Sequence, residues 1–288
     1  VAPGATIRAN AIQAGADGGK IIVWADDTTR AYGLLEATGT AGGKGGFIET
    51  SGHRTLDVEG IRVKTAAGGL AGTWLLDPNN VTVQVGTNSN ITGDPVFVPA
   101  SNTGNSIVSV SSINTALNSG SNVSIATAAG GAAGYRDIFF NNSNGSISIV
   151  RTAAGVGTLT LNADRHIQFI NGSTTFQANG SANTSAGIGV NLNPGGSVAG
   201  GSINIASGST LTLNTINGAT GNAVAVVGNG ATFNNAGSIE LFLKGDLRLH
   251  NGTAATLNNT GALTFFGGKI SGNSPTVGGN FNNSGTVT

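Results

Sequence analysis

A spaced motif constrains this chain more than any other feature. Phe233-Asn234-Asn235-Ala236-Gly237-Ser238-Ile239 returns as Leu257-Asn258-Asn259-Thr260-Gly261-Ala262-Leu263 and again as Phe281-Asn282-Asn283-Ser284-Gly285-Thr286-Val287, each copy 24 residues after the last. The register outlasts the motif, since Leu241 matches Phe265 and Phe242 matches Phe266 at the same offset. A fixed period of this size marks an array of stacked supersecondary units. Within a unit apolar residues alternate, as in Ile239, Leu241 and Leu243, which is the period of strands with one buried face. One such unit has no core of its own, but stacked copies bury a continuous interior and pair their backbones with the units above and below. The reading is an all-β parallel β-helix, or β-solenoid, with coils of about 20–24 residues.

The Asn pair fits this geometry in two ways. Asn tolerates the left-handed turn conformation, and stacked Asn side chains hydrogen-bond along an axis. Asn234, Asn258 and Asn282 are expected to form one ladder and Asn235, Asn259 and Asn283 another, with rungs ~4.8 Å apart. The small residue and Gly that follow then close the corner, where Gly supplies positive φ.

Composition agrees with turn-dense β material: the chain has 48 Gly, no Cys and only 9% charged residues, while 39% hydrophobic residues in steady alternation argue against disorder. At ~4.8 Å per coil, 288 residues would make about 12–14 coils and a rod of roughly 60 Å. Lys and Arg balance Asp and Glu at 13 each, which removes the electrostatic case for nucleic acid or an anionic membrane as partner. No run of 18 apolar residues is present, so membrane insertion is not expected. The absence of Met means that Val1 follows processing or lies inside a longer chain. A cysteine-free chain suits export in an unfolded state, and the expected location is extracellular.

Read in order, residues 1–83 form a first section of short strands cut by Gly, including Lys20 to Ala25, Gly46 to Thr50 and Arg62 to Lys64. It holds more than half of the charged side chains and ends in Trp74-Leu75-Leu76-Asp77-Pro78, read as a seam closed by an Asp-Pro step that disfavours further regular structure. Residues 84–122 read as a loop excursion with a short Val96-Phe97-Val98 strand and one short helix, Ser111 to Asn118, capped by Ser111 or Ser112 and stopped by Gly120. Coils resume over 123–288, and Phe140-Asn141-Asn142-Ser143-Asn144-Gly145-Ser146-Ile147 is the terminal motif with one insertion.

Two blocks in the first half carry a resemblance. Gly45-Gly46-Phe47-Ile48-Glu49-Thr50-Ser51-Gly52-His53, followed by Thr73-Trp74-Leu75-Leu76-Asp77-Pro78-Asn79-Asn80-Val81-Thr82-Val83, resembles the signature of filamentous haemagglutinin-like exoproteins of two-partner secretion, which include high-molecular-weight adhesins. Ser112-Ile113-Asn114-Thr115-Ala116-Leu117-Asn118 and Thr158 to Ala163 are similar to the segments that follow it, so the resemblance spans roughly 20–170. It implies a secreted right-handed β-helix on the bacterial cell surface, exported through a dedicated outer-membrane transporter and working in adhesion, aggregation or biofilm cohesion. The Asn-Pro-Asn-Gly type of motif found in that family's amino-terminal secretion domain is absent from these residues, so this stretch is expected to be an interior or mature segment.

Chemistry is sparse. Polysaccharide-degrading β-helices gather several carboxylates with Arg or Lys on one outer face, whereas past residue 80 the acids are only Asp94, Asp137, Asp164, Glu240 and Asp246. Arg136-Asp137 and Asp164-Arg165-His166 are read as surface ion pairs. His53, His166 and His250 lack ligand spacing, and Ser51 near His53 lacks a third partner, so no catalytic residue, metal or cofactor is expected. The Gly42-Gly43-Lys44-Gly45-Gly46 run is not followed by the Gly-Lys-Ser/Thr of a phosphate loop. Asn-x-Ser/Thr sequons such as Asn144, Asn171 and Asn258 are frequent, as chance dictates in a chain so rich in these residues.

The candidate contact is an outer face. Alternation turns Ile239, Leu241 and Leu243 inward and Phe242 outward, and in the next coil Leu263 and Phe265 inward and Phe266 outward. Phe242 and Phe266 would then form an exposed aromatic strip. The expected function is that of a non-enzymatic adhesin, a stiff rod that contacts a cell-surface or glycan receptor or further copies of itself. The alternatives are a subunit of a filament assembled through coil ends and, from another class, a polysaccharide-degrading enzyme.

Overall fold

The computed structural model describes residues 1–52, 55–66, 70–78, 80–86, 91–92, 98–99, 106–127, 137–180, 185–196, 201–216, 219–228, 230–249, 254–272 and 279–288. Strands make up 56% of the chain and helix 5%, so the structure is mostly β. Nearly all the strands belong to parallel sheets of ten, nine, six and three strands. Successive strands visit these sheets in turn: Gly187–Pro194 in the nine-stranded sheet, Ser202–Ile205 in the ten-stranded sheet, Thr210–Ile216 in the six-stranded sheet, then Ala223–Val227 back beside the first. Each strand therefore pairs with the equivalent strand one circuit earlier and one circuit later.

The repeat is looser than the sequence suggests. Asn234 pairs with Asn258 and Asn258 with Asn282, keeping the 24-residue spacing at the carboxyl end. Elsewhere Ala223 lies beside Gly245, Ser173 beside Thr210 and Val81 beside Ile138, so paired strands are 22 to 57 residues apart instead of about 20–24. Insertions fall at corners, where added chain does not disturb the parallel ladder. The core needs only the inward alternation, and that is met through the middle of the stack: Ile147 and Ile149, Leu159 and Leu161, Ile188, Val190 and Leu192 are all fully buried. Phe140 stacks on Phe169 at 4.9 Å between ring centroids, and Phe176 meets both edge-on. Each buried ring is worth about 1.5–3 kcal/mol in transfer from water.

Glycine serves the corners through space more than through conformation. Gly237, Gly261 and Gly285 do not need positive φ. A Cβ on Gly261 would sit 2.0 Å from the carbonyl oxygen of Gly237, and one on Gly285 2.1 Å from that of Gly261. Neither are Asn234 and Asn235 left-handed; both end the extended strand Thr232–Asn235, and among the described residues the positive-φ non-glycines are Asn171 and Lys244. The turn-forming role expected for the Asn pair is thus replaced by ladder formation alone.

The segment 84–122 departs most from expectation. Its strand Ser106–Ser109 fills a slot in the ten-stranded sheet between Thr55–Asp57 and Val81–Gln84, both earlier in the chain. The chain passes Val81–Gln84 first and returns to occupy the place beneath it. Helix α1, Val110–Asn118, follows directly, with Ser109 rather than Ser111 or Ser112 as N-cap and Gly120 at φ +91 just past its end. Ser109 Oγ accepts from Ser112 N, which fixes the cap two residues earlier than the apolar spacing implies. The expected Val96-Phe97-Val98 strand lies outside the described residues apart from Val98, which pairs with Thr92.

Helix α1 takes a strand's place. It packs between Arg62–Lys64 of the three-stranded sheet and Ile147–Arg151 of the six-stranded sheet, burying Val110, Ile113, Ala116 and Leu117. Asn114 and Asn118, one turn apart, face the open edge of Ile147–Arg151. Asn114 Nδ2 donates to Ser148 O and its Oδ1 accepts from Val150 N, both at 2.9 Å. Asn118 Nδ2 donates to Val150 O, and its Oδ1 accepts from Thr152 N. Side-chain amides thereby supply the donors and acceptors that a neighbouring strand would have offered.

Candidate functional site

Two Asn ladders run along the carboxyl half, and they differ in burial and direction. On the outer face Asn282 Nδ2 donates to Asn258 Oδ1, Asn258 to Asn234 and Asn234 to Asn204, at 2.9–3.0 Å. Inside, Asn235 donates to Asn259 Oδ1 at 2.6 Å and Asn259 to Asn283 at 2.7 Å, with Asn235 and Asn259 each 1% exposed. The outer amides point toward the amino end and the inner ones toward the carboxyl end, so the dipoles of the two rows oppose. Asn204, which the motif spacing did not include, extends the outer ladder by one rung.

That outer row leads into a polar cluster. Asn204 Nδ2 donates to Ser202 Oγ at 3.0 Å, and Ser202 approaches His166 Nδ1 through both its Oγ at 2.9 Å and its backbone N at 3.2 Å. Because a backbone N–H can only donate, Nδ1 is the accepting nitrogen and the imidazole is neutral. One circuit earlier, Asp137 receives Arg165 Nε and Nη2, each at 2.7 Å, Gln168 Nε2 at 2.7 Å and the backbone N of His166 at 3.1 Å. Asp137 is 1% exposed and the Arg165 side chain 32%, so the pair read as a surface contact is a fork-bonded one with a buried carboxylate. The Asp137 carboxylate, accepting from the guanidinium, holds the Arg165 pKa above its ordinary value, and burial pushes that of His166 down. Ser202 and His166 hydrogen-bond, but Asp137 meets the backbone of His166 rather than its ring, so the three do not form a nucleophilic triad. Among the described residues no cluster of three or more His, Asp or Glu could hold a metal. His53, His250 and Arg136 lie outside those residues.

Trp74 is fully buried, with Nε1 donating to Thr50 Oγ1 at 3.0 Å. In the nine-stranded sheet it pairs with Ile48 on one side and Val123 on the other, so residues from 1–83 and 123–288 meet across it in one unbroken sheet. Leu76 is buried and Leu75 half-buried. The strand runs through Asp77 to Pro78 rather than stopping at the Asp-Pro step.

The aromatic strip is present with a different boundary. Phe242 and Phe266 stack at 4.5 Å between centroids and 20° between planes, Phe242 half-buried and Phe266 51% exposed. Leu243, expected inside, is 61% exposed. The strand ends at Phe242 and Lys244 turns at φ +61, so alternation no longer applies at Leu243 and it joins the outer patch against Gly267. Phe265, also expected inside, is 36% exposed; Thr286–Val287 pairs with Ala262 and Leu263, and Phe265 N donates to Thr288 O at 2.9 Å. Residues 273–278 lie outside the described ones. No described helix is long and apolar enough to cross a membrane. No family model matches this chain, and neither does any curated protein.

Proposed function

We propose that this chain is a section of a right-handed parallel β-helix belonging to a secreted bacterial surface protein, a non-enzymatic rod for adhesion, aggregation or biofilm cohesion. The observation that carries the reading is the cyclic passage of the chain through three parallel sheets with equivalent residues stacked in register. Parallel ladders on every side, locked by side-chain ladders of Asn, give a stiff body with broad lateral faces and little convergent chemistry. Export through an outer-membrane transporter follows from the resemblance of the ETSGH and WLLDP blocks.

On this reading the Phe242, Leu243 and Phe266 patch is a lateral contact, since contiguous exposed aromatics mark interaction surfaces. The F242S/F266S double variant should lose self-association in sedimentation, or lose binding of the chain to cells, while its melting temperature stays near that of the parent. A drop of many degrees with association intact would make the rings part of the core and overturn the assignment. Electron microscopy of the native material distinguishes single cell-anchored rods from a filament assembled end to end. Globular particles without rods would refute the architecture.

A further inference from the structure

Arg151 occupies a position where a β-structured core holds aliphatic side chains. It ends the strand Ile147–Arg151, and because Ile147 and Ile149 point inward, alternation sends Arg151 inward too. Only 4% of it is exposed. Its stem lies across Gly157, where a Cβ would come within 3.1 Å of both Cδ and Nε, and its partner in the next circuit is the small residue Ala178. The two small neighbours leave room for the guanidinium at the corner between the six-stranded and nine-stranded sheets.

A guanidinium keeps its charge inside a protein and carries five N–H donors. Here Nη2 donates to Ala154 O at 2.9 Å, whereas Nε and Nη1 find no acceptor. On the segment that follows it, Asn118 Oδ1 receives Thr152 N and Ala153 N, and Ser185 Oγ receives Gly155 N. No ion pair among the described residues includes Arg151. A buried charge without counter-charge is among the most costly features a core can hold.

We propose that Arg151 binds a small monovalent anion of chloride size, seated on the terminal fork formed by Nη1 and the second hydrogen of Nη2. The largely exposed segment Thr152 to Gly155 is its route from solvent. One guanidinium matches one negative charge, which favours a halide over a divalent oxyanion needing more donors.

The test compares the parent chain with Arg151→Met, which keeps the stem and removes the charge. In the parent, melting temperature should rise saturably with sodium chloride by about 2–4 °C over sodium gluconate of equal ionic strength. In R151M that chloride-specific rise should vanish, and the variant should be at least as stable as the parent in gluconate. Bromide-soaked crystals should give an anomalous peak beside Arg151. Equal chloride response in both proteins, or an ordered water without halide signal at the guanidinium, overturns the proposal.

Discussion

Asn235 donates its side-chain amide to Asn259 at 2.6 Å, yet its own Oδ1 is buried without a donor, because the residue beside it in the preceding circuit is Ile205. The inner ladder thus begins with an unsatisfied carbonyl, which costs about 1–3 kcal/mol. Ile205→Asn would place an amide in register and add the missing rung. Ile203→Asn, two residues earlier on the same strand and equally buried, meets no such partner. In denaturant melts I203N should lose about 3–5 kcal/mol, and I205N should lose at least ~1 kcal/mol less. Equal losses would show that the ladder gains nothing from extension.

The helix that replaces a strand depends on two amides. Asn118→Leu removes its bonds to Val150 O and Thr152 N and exposes the edge of Ile147–Arg151, at an expected cost of about 2–3 kcal/mol. Asn114→Leu should cost a similar amount. Hydrogen exchange should show faster loss of amide protection at Thr152 and Ala153 in the first variant and at Val150 in the second. Unchanged protection would mean that the strand edge is satisfied without the helix.

His166 gives the fold a pH dependence. Burial pushes its pKa down, the carboxylate of Asp137 pulls it partly back, and Arg165 pushes it down further. The unfolded chain takes up a proton below about pH 6.5 while the folded chain resists it, so the unfolded state binds more protons there and stability rises with pH through that window. Stability contributed by His166 is present above pH ~6.5 and is lost as pH falls below it. Glu36, whose pKa is lowered by Arg8, adds its loss only at more acid pH. Melting temperature between pH 7.5 and 5.5 should therefore fall in the parent and stay flatter in His166→Gln, whose amide oxygen can still accept from Ser202. Parallel curves would remove His166 as the cause.

What the sequence determined by itself was the 24-residue spacing at the carboxyl end, the alternation within strands and the pairing of like with like there. Asn234, Asn258 and Asn282 stand in register because alternation and a 24-residue repeat leave no other way to bury Phe233, Leu257 and their neighbours on one side. Those are local rules, repeated along the chain. The tertiary structure decided everything that depends on what lies one circuit away. Whether Leu243 points inward turned on where its strand stopped, and whether Gly261 could be Ala turned on the carbonyl of Gly237. Ser106–Ser109 entered a slot between two earlier strands, and α1 served as a strand because Asn114 and Asn118 met an open edge. Asp137 became a buried partner of Arg165 rather than a surface one because the next circuit covers it. Arg151, ordinary in sequence, becomes costly to the fold only where Gly157 and Ala178 enclose it, since the cost of a charge is set by its surroundings and not by its neighbours in the chain.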